Sequence, residues 1–428
     1  MASALLKAHS VDSRAIMFEL EATLIVFEAE KKARRQIQKD NPELLETYQY
    51  RQRWKDLQSE MIALERLYRQ ATGEEHVRPH LPPQAQRDAL RQLFLDMHGR
   101  RWRDNRGWLG RLASPQRRGV PEFGCHPRLW TGVTCSTGSV EGVCLRNNQL
   151  VGRLSGEWMS KLPRLISLDL SNNEIRGGIP EQVGALSSLE YLIMHTTLVE
   201  GPLPPSLGGL TGLRELDLAH GSLSGPVPDT LGRCTRLVRL SLAQNALQGP
   251  LPGSLGNLTN LRELQLGANR LVGSVPPSLS CLVKLRALDL SRNFLSAGPF
   301  PAWVGVLTAL QRLRLDHNNL HGNLPEGLTV LSRLELLHMQ FNQVGGELPR
   351  GLGAMGQLKV ANLSGNRLQG SLPPSVSQLT KLECLVLRDN FIKGPLPSGL
   401  GRLRRLVDFF VMEGEVSHSL PLQRAFNR

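Results

Sequence analysis

The sequence predicts an α/β repeat fold: a solenoid with a concave parallel β-sheet, preceded by an α-helical N-terminal segment. From Leu165 onward, the sequence returns to itself every 24 residues. Each repeat contains leucines that alternate with other residues, a pattern typical of a short strand. Residues 1–78 lack the repeat, and their apolar residues recur at helical spacing. A repeat array accommodates 428 residues without enlarging any single core.

The repeat unit reads L-x-x-L-x-L-x-x-N-x-L-x-G-x-[ILVF]-P with few exceptions. Its anchor leucines are 24 residues apart, except where one residue is inserted near Ala297. The anchors are Leu165, Leu189, Leu213, Leu237, Leu261, Leu285, Leu310, Leu334, Leu358, Leu382 and Leu406. A weaker unit around Val143 precedes them, and the last unit decays after Leu406. Terminal units have no outer neighbour to pack against, so we expect their sequences to diverge.

The spacing within the unit assigns a place to each residue type. The alternating leucines point inward and the residues between them point outward, so stacked units form one parallel sheet with an exposed concave face. The asparagine after the strand is expected to bond to backbone groups of its own and the next unit, because a buried amide needs partners. The following glycine permits a tight turn. The X-Pro step stops a strand or helix from continuing.

The concave face expected from this period has two charged regions. About eleven strands would span roughly 50 Å at ~4.8 Å per strand, enough for a domain or an extended peptide. The acidic region covers the first half of the array and comprises Asp169, Glu215, Asp217 and Glu263. The basic and aromatic region covers the later units and comprises Arg292, Arg312, Arg314, His317, His338 and Phe341.

The N-terminal segment is predicted to be separate from the array. Residues 1–78 are expected to form a helical hairpin similar to a coiled coil, and residues 79–83 a linker. The apolar stripe of the hairpin has three candidate partners: the hairpin itself, the end of the solenoid and a partner helix. An arginine-rich stretch runs from Arg100 to Arg118. It is either a solvated loop or a site for phosphate or an anionic membrane surface, so membrane contact stays open.

The repeats are preceded by a characteristic element in residues 84–139. A helix is expected to open at Gln86, and a C…W-x-G-V-x-C motif runs from Cys125 to Cys135. With the 24-residue units of residues 140–411, this element resembles the N-terminal cap and repeats of the plant-type leucine-rich-repeat family. That family includes receptor-kinase ectodomains and receptor-like proteins. On this interpretation, residues 140–411 hold about eleven repeats plus a degraded last unit, and residues 412–428 form a C-terminal tail.

The resemblance implies a twisted, right-handed solenoid that binds peptides or proteins, often on its inner face. It also implies that Cys125 and Cys135 pair as a disulfide of the cap. If the compartment is reducing, the two cysteines would instead remain thiols that fill the cap. The sequence departs from the receptors of the family in its helical N-terminal segment, and it contains neither a kinase domain nor an apolar membrane span.

Arg312 and Arg314 are the most specific candidate binding residues. Both guanidinium groups should project from one strand into the concave face, and paired guanidiniums suit bidentate binding of a carboxylate. The resemblance implies the same role, because peptide-binding members of the family hold a peptide's C-terminal carboxylate with an R-x-R pair on an inner strand. The alternative is that both arginines form ordinary surface ion pairs with Asp289 and Asp316 on neighbouring strands.

The sequence contains no pattern that predicts catalysis. No Cys or His set has zinc spacing and no phosphate-binding loop is present, so we expect no enzyme activity, metal or cofactor. The basic residues lack an aromatic stacking platform, which argues against a nucleic-acid partner. Without a secretory signal or an apolar span, the chain is expected in the cytoplasm. The predicted function is recognition or scaffolding of a protein or peptide. The alternative is a secreted or membrane-associated receptor-like protein whose signal or anchor is absent from this chain.

Overall fold

A computed structural model describes four stretches of the chain: residues 84–105, 131–136, 139–296 and 300–411. All four belong to the unit Leu81–Arg428. The hairpin predicted for residues 1–78, the linker 79–83 and the tail 412–428 lie outside the described residues, as does Cys125. Within the described residues, the predicted solenoid of short parallel strands preceded by a helix is confirmed.

A helix lies at the N-terminal end of the repeat core, as the cap motif predicts. Helix α1, Gln84–Asp96, contains no glycine or proline and buries one apolar face. That face consists of Ala89, Leu90, Leu93 and Phe94. The buried Gln86 Oε1 accepts a hydrogen bond from the Val140 N–H at 3.0 Å, which ties the helix to the first strands. Trp102 packs edge-on against Phe94, with ring centroids 5.1 Å apart.

Thirteen strands form one sheet along the described array, here called the inner sheet. With all strands numbered in chain order, they are β1 Val133–Ser136, β2 Ser139–Cys144, β4 Ser167–Asp169, β6 Tyr191–Ile193, β8 Glu215–Asp217, β10 Arg239–Ser241, β12 Glu263–Gln265, β14 Ala287–Asp289, β16 Arg312–Arg314, β18 Leu336–His338, β20 Val360–Asn362, β22 Cys384–Val386 and β24 Asp408–Phe410. β1 pairs with β2 in antiparallel fashion, and the later neighbours are parallel. The sheet has two strands more than the expected eleven, because the degraded last unit forms β24 and the cap adds β1.

The core is a continuous stack of leucines from neighbouring units. The middle residue of each inner strand is buried, and the register places Leu216, Leu240 and Leu264 side by side on β8, β10 and β12. Cys234 occupies a leucine position and is fully buried. Burial raises the pKa of its thiol to about 11. Cys234 is therefore a small neutral core residue.

Two shorter parallel sheets, here called the outer sheets, contain one strand per unit. The first has seven strands: β3 Val151–Arg153, β5 Glu174–Gly177, β7 Leu198–Pro202, β9 Ser222–Gly225, β11 Ala246–Pro250, β13 Arg270–Gly273 and β15 Phe294–Leu295. The second has four strands: β17 His321–Asn323, β19 Gln343–Glu347, β21 Arg367–Gly370 and β23 Phe391–Ile392. The sequence did not predict these sheets, because the residues around the L-x-G step alternate over too short a stretch to indicate a strand.

A short 3₁₀ helix follows most outer strands. These helices, with the one after α1, are Gly99–Arg101, Met159–Lys161, Glu181–Ala185, Pro205–Gly209, Asp229–Arg233, Gly253–Asn257, Pro277–Cys281, Ala302–Val306, Glu326–Val330, Leu352–Ala354, Pro374–Gln378 and Ser398–Arg402. Prolines such as Pro180, Pro204 and Pro228 directly precede the first turn in an extended conformation. Proline fixes φ and donates no hydrogen bond, so it separates the outer strand from the helix.

An asparagine ladder connects consecutive units, as predicted, but each amide bonds to its own unit and the preceding unit rather than the next one. Asn293 Nδ2 donates to the carbonyl oxygens of Leu266 and Leu290, both at 3.1 Å, and Oδ1 accepts the Leu271 N–H at 3.0 Å. Equivalent bonds are formed by Asn173, Asn245, Asn269, Asn318, Asn342, Asn366 and Asn390. Two successive units differ, because Thr197 and Gly221 replace the asparagine.

Candidate ligand-binding surface

The residues of the inner sheet that point away from the leucine core form what we call the inner surface. Its central column consists of Asp169, Ile193, Asp217, Ser241, Gln265, Asp289, Arg314, His338, Asn362 and Val386. A second column on the same strands includes Glu215, Arg239, Glu263 and Arg312. The parallel register therefore brings side chains from separate repeats next to one another.

In the acidic region, one guanidinium contacts three carboxylates. Arg239 lies 3.1 Å from Glu215, 3.3 Å from Asp217 and 3.7 Å from Glu263. Asp217, which we expected to be exposed, is only 5% exposed. The expectation is wrong because Asp217 pairs with Arg239 and also accepts the N–H of Ala219 at 3.2 Å. Arg239 therefore partly neutralises the acidic region. The order of residues along the sequence did not reveal this.

The environment of Glu215 disfavours the charged form of its carboxyl group. Burial is the main cause that raises the pKa of Glu215 above its usual 4.5, and Arg239 opposes this rise. The neighbouring carboxylates of Asp217, Glu263 and Asp169 raise the pKa further. Burial, more than the neighbouring carboxylates, is therefore what disfavours the charged form of Glu215.

Arg312 and Arg314 are only loosely held in the ion pairs that they form. Arg312 lies 3.4 Å from Glu263, and its side chain is 56% exposed. Arg314 lies 3.5 Å from Asp289 and 3.6 Å from Asp316, the partners expected in the alternative interpretation. All three contacts are longer than the ~2.7–2.9 Å of a strong charge-assisted hydrogen bond. Both guanidiniums therefore retain hydrogen-bonding capacity.

Beside Arg314 lies a group of side chains that we call the polar cluster. Four of their atoms are buried and have no hydrogen-bond partner: Arg314 Nε, Asp316 Oδ1, His338 Nδ1 and Gln340 Oε1. Strands β16 and β18 place Arg314 next to His338, and the other two residues follow these strands. Burial lowers the pKa of His338 below its usual 6.5, an effect that Asp316 opposes and Arg314 reinforces. Buried polar atoms without partners are uncommon, so their concentration here marks a functional candidate.

The residues directly before the ladder positions form a rim along the inner surface. They adopt the left-handed backbone conformation, with φ between 52° and 61° at Asn172, Thr196, His220, Gln244, Ala268, Arg292, His317, Phe341, Gly365 and Asp389. Three residues of the predicted basic and aromatic region, Arg292, His317 and Phe341, thus lie on the rim rather than on a strand. The ring of Phe341 lies 4.7 Å from that of His317. His317 Nδ1 is 3.0 Å from Asp316 Oδ2, which links the rim to the polar cluster.

The structure divides the predicted site residues between two places. Arg314 and His338 meet in the polar cluster, Phe341 lies beside it on the rim, and Arg312 faces the same surface on β16. Glu215 and Asp217 lie on β8, four strands from β16 in the inner sheet. A single small ligand therefore cannot contact both regions, whereas an extended chain can.

Further features bear on the kind of site and its surroundings. Cys135 is disulfide-bonded, and its predicted partner Cys125 lies outside the described residues. Within the described stretches, no three His, Cys, Asp or Glu side chains are arranged to hold a metal ion. The same stretches contain no helix with the length and apolar character needed to cross a bilayer. Arg100, Arg101 and Arg103 of the arginine-rich stretch are exposed.

The fold and the inner surface together define a repeat solenoid with an open sheet suited to ligand binding. A family model described as a leucine-rich repeat region matches residues 143–341, and a second, for the leucine-rich repeat, matches residues 357–379. The chain belongs to the leucine-rich-repeat family, and its structural neighbours place it with the plant-type members.

The similar proteins include plant receptors. The LRR receptor-like serine/threonine-protein kinase GHR1 of Arabidopsis thaliana is 38% identical over 69 residues, which are 16% of this chain and 6% of the relative. The solved structure of the Arabidopsis receptor kinase HAESA, in complex with the peptide hormone IDA and the co-receptor SERK1, is 31% identical with a TM-score of 0.67. The match covers 77% of this chain and 54% of the chain in that structure. The plant peptide hormone receptor RGFR1, in complex with RGF2, is 30% identical with a TM-score of 0.62. This match covers 66% of this chain and 52% of the chain in that structure. This chain thus spans about half the length of these receptor structures.

The expectation of a cytoplasmic location is wrong. The similar structures include the ectodomain of the plant membrane receptor kinase GASSHO1 and the HAESA ectodomain, at 31% and 35% identity, and an ectodomain faces the exterior of the cell. The disulfide at Cys135 agrees with an oxidising environment. The expectation failed because it rested only on not finding a secretory signal or an apolar span in the given residues, which carries no physical information about the surroundings of the folded solenoid.

Proposed function

We propose that this chain is a receptor-like recognition module that binds an extended peptide, or an extended segment of a protein, along its inner surface. The solved structures of HAESA and RGFR1, which share its fold, are complexes with the peptides IDA and RGF2. The inner surface offers the same type of open sheet. Its exposed guanidiniums make binding the activity that the geometry favours.

One observation carries this proposal: the guanidiniums of Arg312 and Arg314 are exposed to the inner surface and are held only by contacts of 3.4–3.6 Å. A ligand carboxylate can bind both groups at shorter distances and so compete with Glu263, Asp289 and Asp316. We assign to this pair the binding of an acidic group of the ligand, in particular a C-terminal carboxylate. A scaffold protein would use the same surface for a longer partner segment.

The remaining candidate residues extend the contact on either side of the arginines. His338 and Phe341 lie next to Arg314 through β18 and the rim, and Arg292 lies on the rim one unit before His317. Glu215 and the partly covered Asp217 would attract basic residues at the far end of the same ligand. At ~3.3 Å per residue and ~4.8 Å per strand, a peptide of about twelve residues crosses eight strands.

The test is a binding screen on the purified full chain. Synthetic peptides of about twelve residues, varied in sequence, are offered in two matched sets that differ only in a free or an amidated C-terminus. We expect the free-acid set to yield binders, and we expect the double variant Arg312→Ala with Arg314→Ala to weaken them by about tenfold or more. The matched control is Arg270→Ala with Arg367→Ala, which removes two exposed arginines from the outer sheets. An absence of binders, or equal affinities for both double variants, contradicts the proposal.

A further inference from the structure

Phe341 occupies a position that disfavours a phenylalanine for two separate reasons. Its φ of 58° lies in the left-handed region, where glycine and asparagine are favoured and bulky side chains are rare. Its side chain is 47% exposed, so it contributes little to the core. The same backbone conformation occurs at the other rim positions, whose residues range from Ala268 to Arg292, so the turn does not require a phenylalanine. Because neither backbone preference nor burial explains Phe341, its position suggests a role on the surface.

The surrounding residues hold the ring of Phe341 in one place. On one side it lies against His317, with ring centroids 4.7 Å apart and planes tilted by 45°. On the other side lies Gly365, where an added Cβ would be only 2.7 Å from Phe341 Cδ1. The absence of a side chain at Gly365 therefore makes room for the ring. Asp316 fixes His317 through a contact of 3.0 Å. Together, Phe341 and His317 form what we call the aromatic platform.

Unused hydrogen-bond acceptors lie beside the aromatic platform. Gln340 directly precedes Phe341, and its Oε1 has no partner. Asp316 contacts His317, is 1% exposed, and its Oδ1 also lacks a hydrogen-bond partner. The half-buried Gln340 thus leaves an acceptor for a ligand, whereas Asp316 Oδ1 already faces Arg314 Nε at 3.6 Å. The platform therefore suits a group that combines an apolar ring with an N–H donor.

An aromatic residue in a peptide matches this combination of requirements. Its ring stacks on Phe341, and its backbone N–H is a donor for Gln340. Proline lacks the N–H, and an aliphatic side chain lacks the ring face. A lysine ammonium would lie near the guanidinium of Arg314, which repels it. These comparisons select phenylalanine, tyrosine or tryptophan among the common side chains.

We propose that Phe341 and His317 form a subsite for one aromatic side chain of the bound peptide, whose backbone N–H bonds to Gln340 Oε1. This inference rests on the proposed function, because it requires a peptide on the inner surface near Arg314. It adds a sequence requirement to that function: the ligand carries an aromatic residue near the group that the two arginines bind.

The test uses the peptides that the wild-type chain retains in the free-acid set. We expect aromatic residues to be enriched at one fixed distance from the C-terminus, and Phe341→Ala to weaken these peptides by about tenfold. Replacement of the peptide's aromatic residue by alanine should weaken wild-type binding to the same degree and add no further loss in Phe341→Ala, as in a double-mutant cycle. The matched control is Phe391→Ala, since Phe391 is 62% exposed and lies on the outer strand β23.

The outcomes separate this inference from the proposed function. If binding depends on Arg312 and Arg314 but is unchanged in Phe341→Ala, the subsite is disproved and the proposed function stands. If no peptide binds, the proposed function itself fails, and the subsite with it. Phe341→Asn provides a second variant that keeps the turn intact, because Asn172 occupies the equivalent rim position. Peptides that bind Phe341→Asn as tightly as wild type would also disprove the subsite.

Discussion

The carbonyl oxygen of Ser206 lies so close to Gly184 that a Cβ added to the glycine would be 2.7 Å from it. The two residues belong to 3₁₀ helices of successive units, Glu181–Ala185 and Pro205–Gly209. The same close approach to the backbone of the next unit recurs at Gly208, Gly232, Gly256, Gly305 and Gly353. This column of glycines therefore sets how closely the 3₁₀ helices stack.

We expect Gly184→Ala to lower the free energy of unfolding by about 1–3 kcal/mol, because the new methyl group must displace a backbone carbonyl. Gly356→Ala is the matched control, since a Cβ added to Gly356 meets no atom within 4 Å. Denaturant unfolding monitored by circular dichroism measures both variants. Equal stability of the two would show that the units can separate without penalty.

The second prediction concerns two adjacent asparagines, one buried and one exposed. Asn318 Nδ2 donates to the carbonyls of Leu290 and Leu315, and its Oδ1 accepts the Leu295 N–H at 3.1 Å. Asn318→Ala leaves these buried backbone groups without partners and should lower stability by about 2 kcal/mol or more. Asn319→Ala changes an exposed side chain and should stay within about 0.5 kcal/mol of wild type. Thermal unfolding measures the stability of both variants. A loss of less than about 0.5 kcal/mol in both would mean that water replaces the hydrogen bonds of the Asn318 side chain.

The third prediction compares two arginines that differ in the number of carboxylates they contact. Arg239→Ala leaves the buried Asp217 and the half-buried Glu215 without their cation, and we expect a loss of about 1–2 kcal/mol. The pKa of Glu215 should rise further in this variant, because Arg239 is the group that lowers it. Arg214→Ala removes a single exposed pair with Glu190 and should change stability by less than about 0.5 kcal/mol. If the two variants are equally stable, Arg239 does not hold the acidic region together.

The fourth prediction is a pH dependence caused by His338. Its pKa in the folded chain lies below 6.5, so the unfolded chain binds more protons in the interval between the two values. The free energy of unfolding should therefore fall as the pH drops below about 6.5, until the pH lies below the folded-state pKa. His338→Gln should remove this component, whereas His321→Gln, which changes an exposed histidine, should not. Unfolding curves between about pH 7 and pH 5 test this, and identical slopes for all three proteins would refute it.

The repeat pattern was sufficient to predict the inner sheet, because the order of strands in this sheet follows the order of the units along the chain. The 24-residue period fixes which residues become neighbours, so Arg314 falls beside Asp289 and His338 as expected. The inward leucines and the ladder of Asn293 follow from the same spacing, because a leucine favours an apolar core and a buried amide requires hydrogen-bond partners.

Other features depend on side-chain conformations that the period does not encode. The burial of Asp217 arises from the path of the Arg239 side chain across three strands. The position of Phe341 on the rim arises from a left-handed turn that most units form without glycine, so the sequence offered no signal for it. The unpartnered atoms around His338 emerge only when three-dimensional contacts are known. Candidate residues were thus predictable by position, whereas their availability to a ligand was not.

The inner and outer sheets respond differently to a change in coil length. Strands β14 and β16 pair directly in the inner sheet, whereas the outer ladder ends at β15 and resumes at β17. The coil between them contains the residue inserted near Ala297. A unit can therefore gain or lose a residue on its outer side while the spacing and pairing of the inner strands stay the same. A residue inserted into an inner strand would instead shift the register by one and turn its exposed side chains toward the leucines.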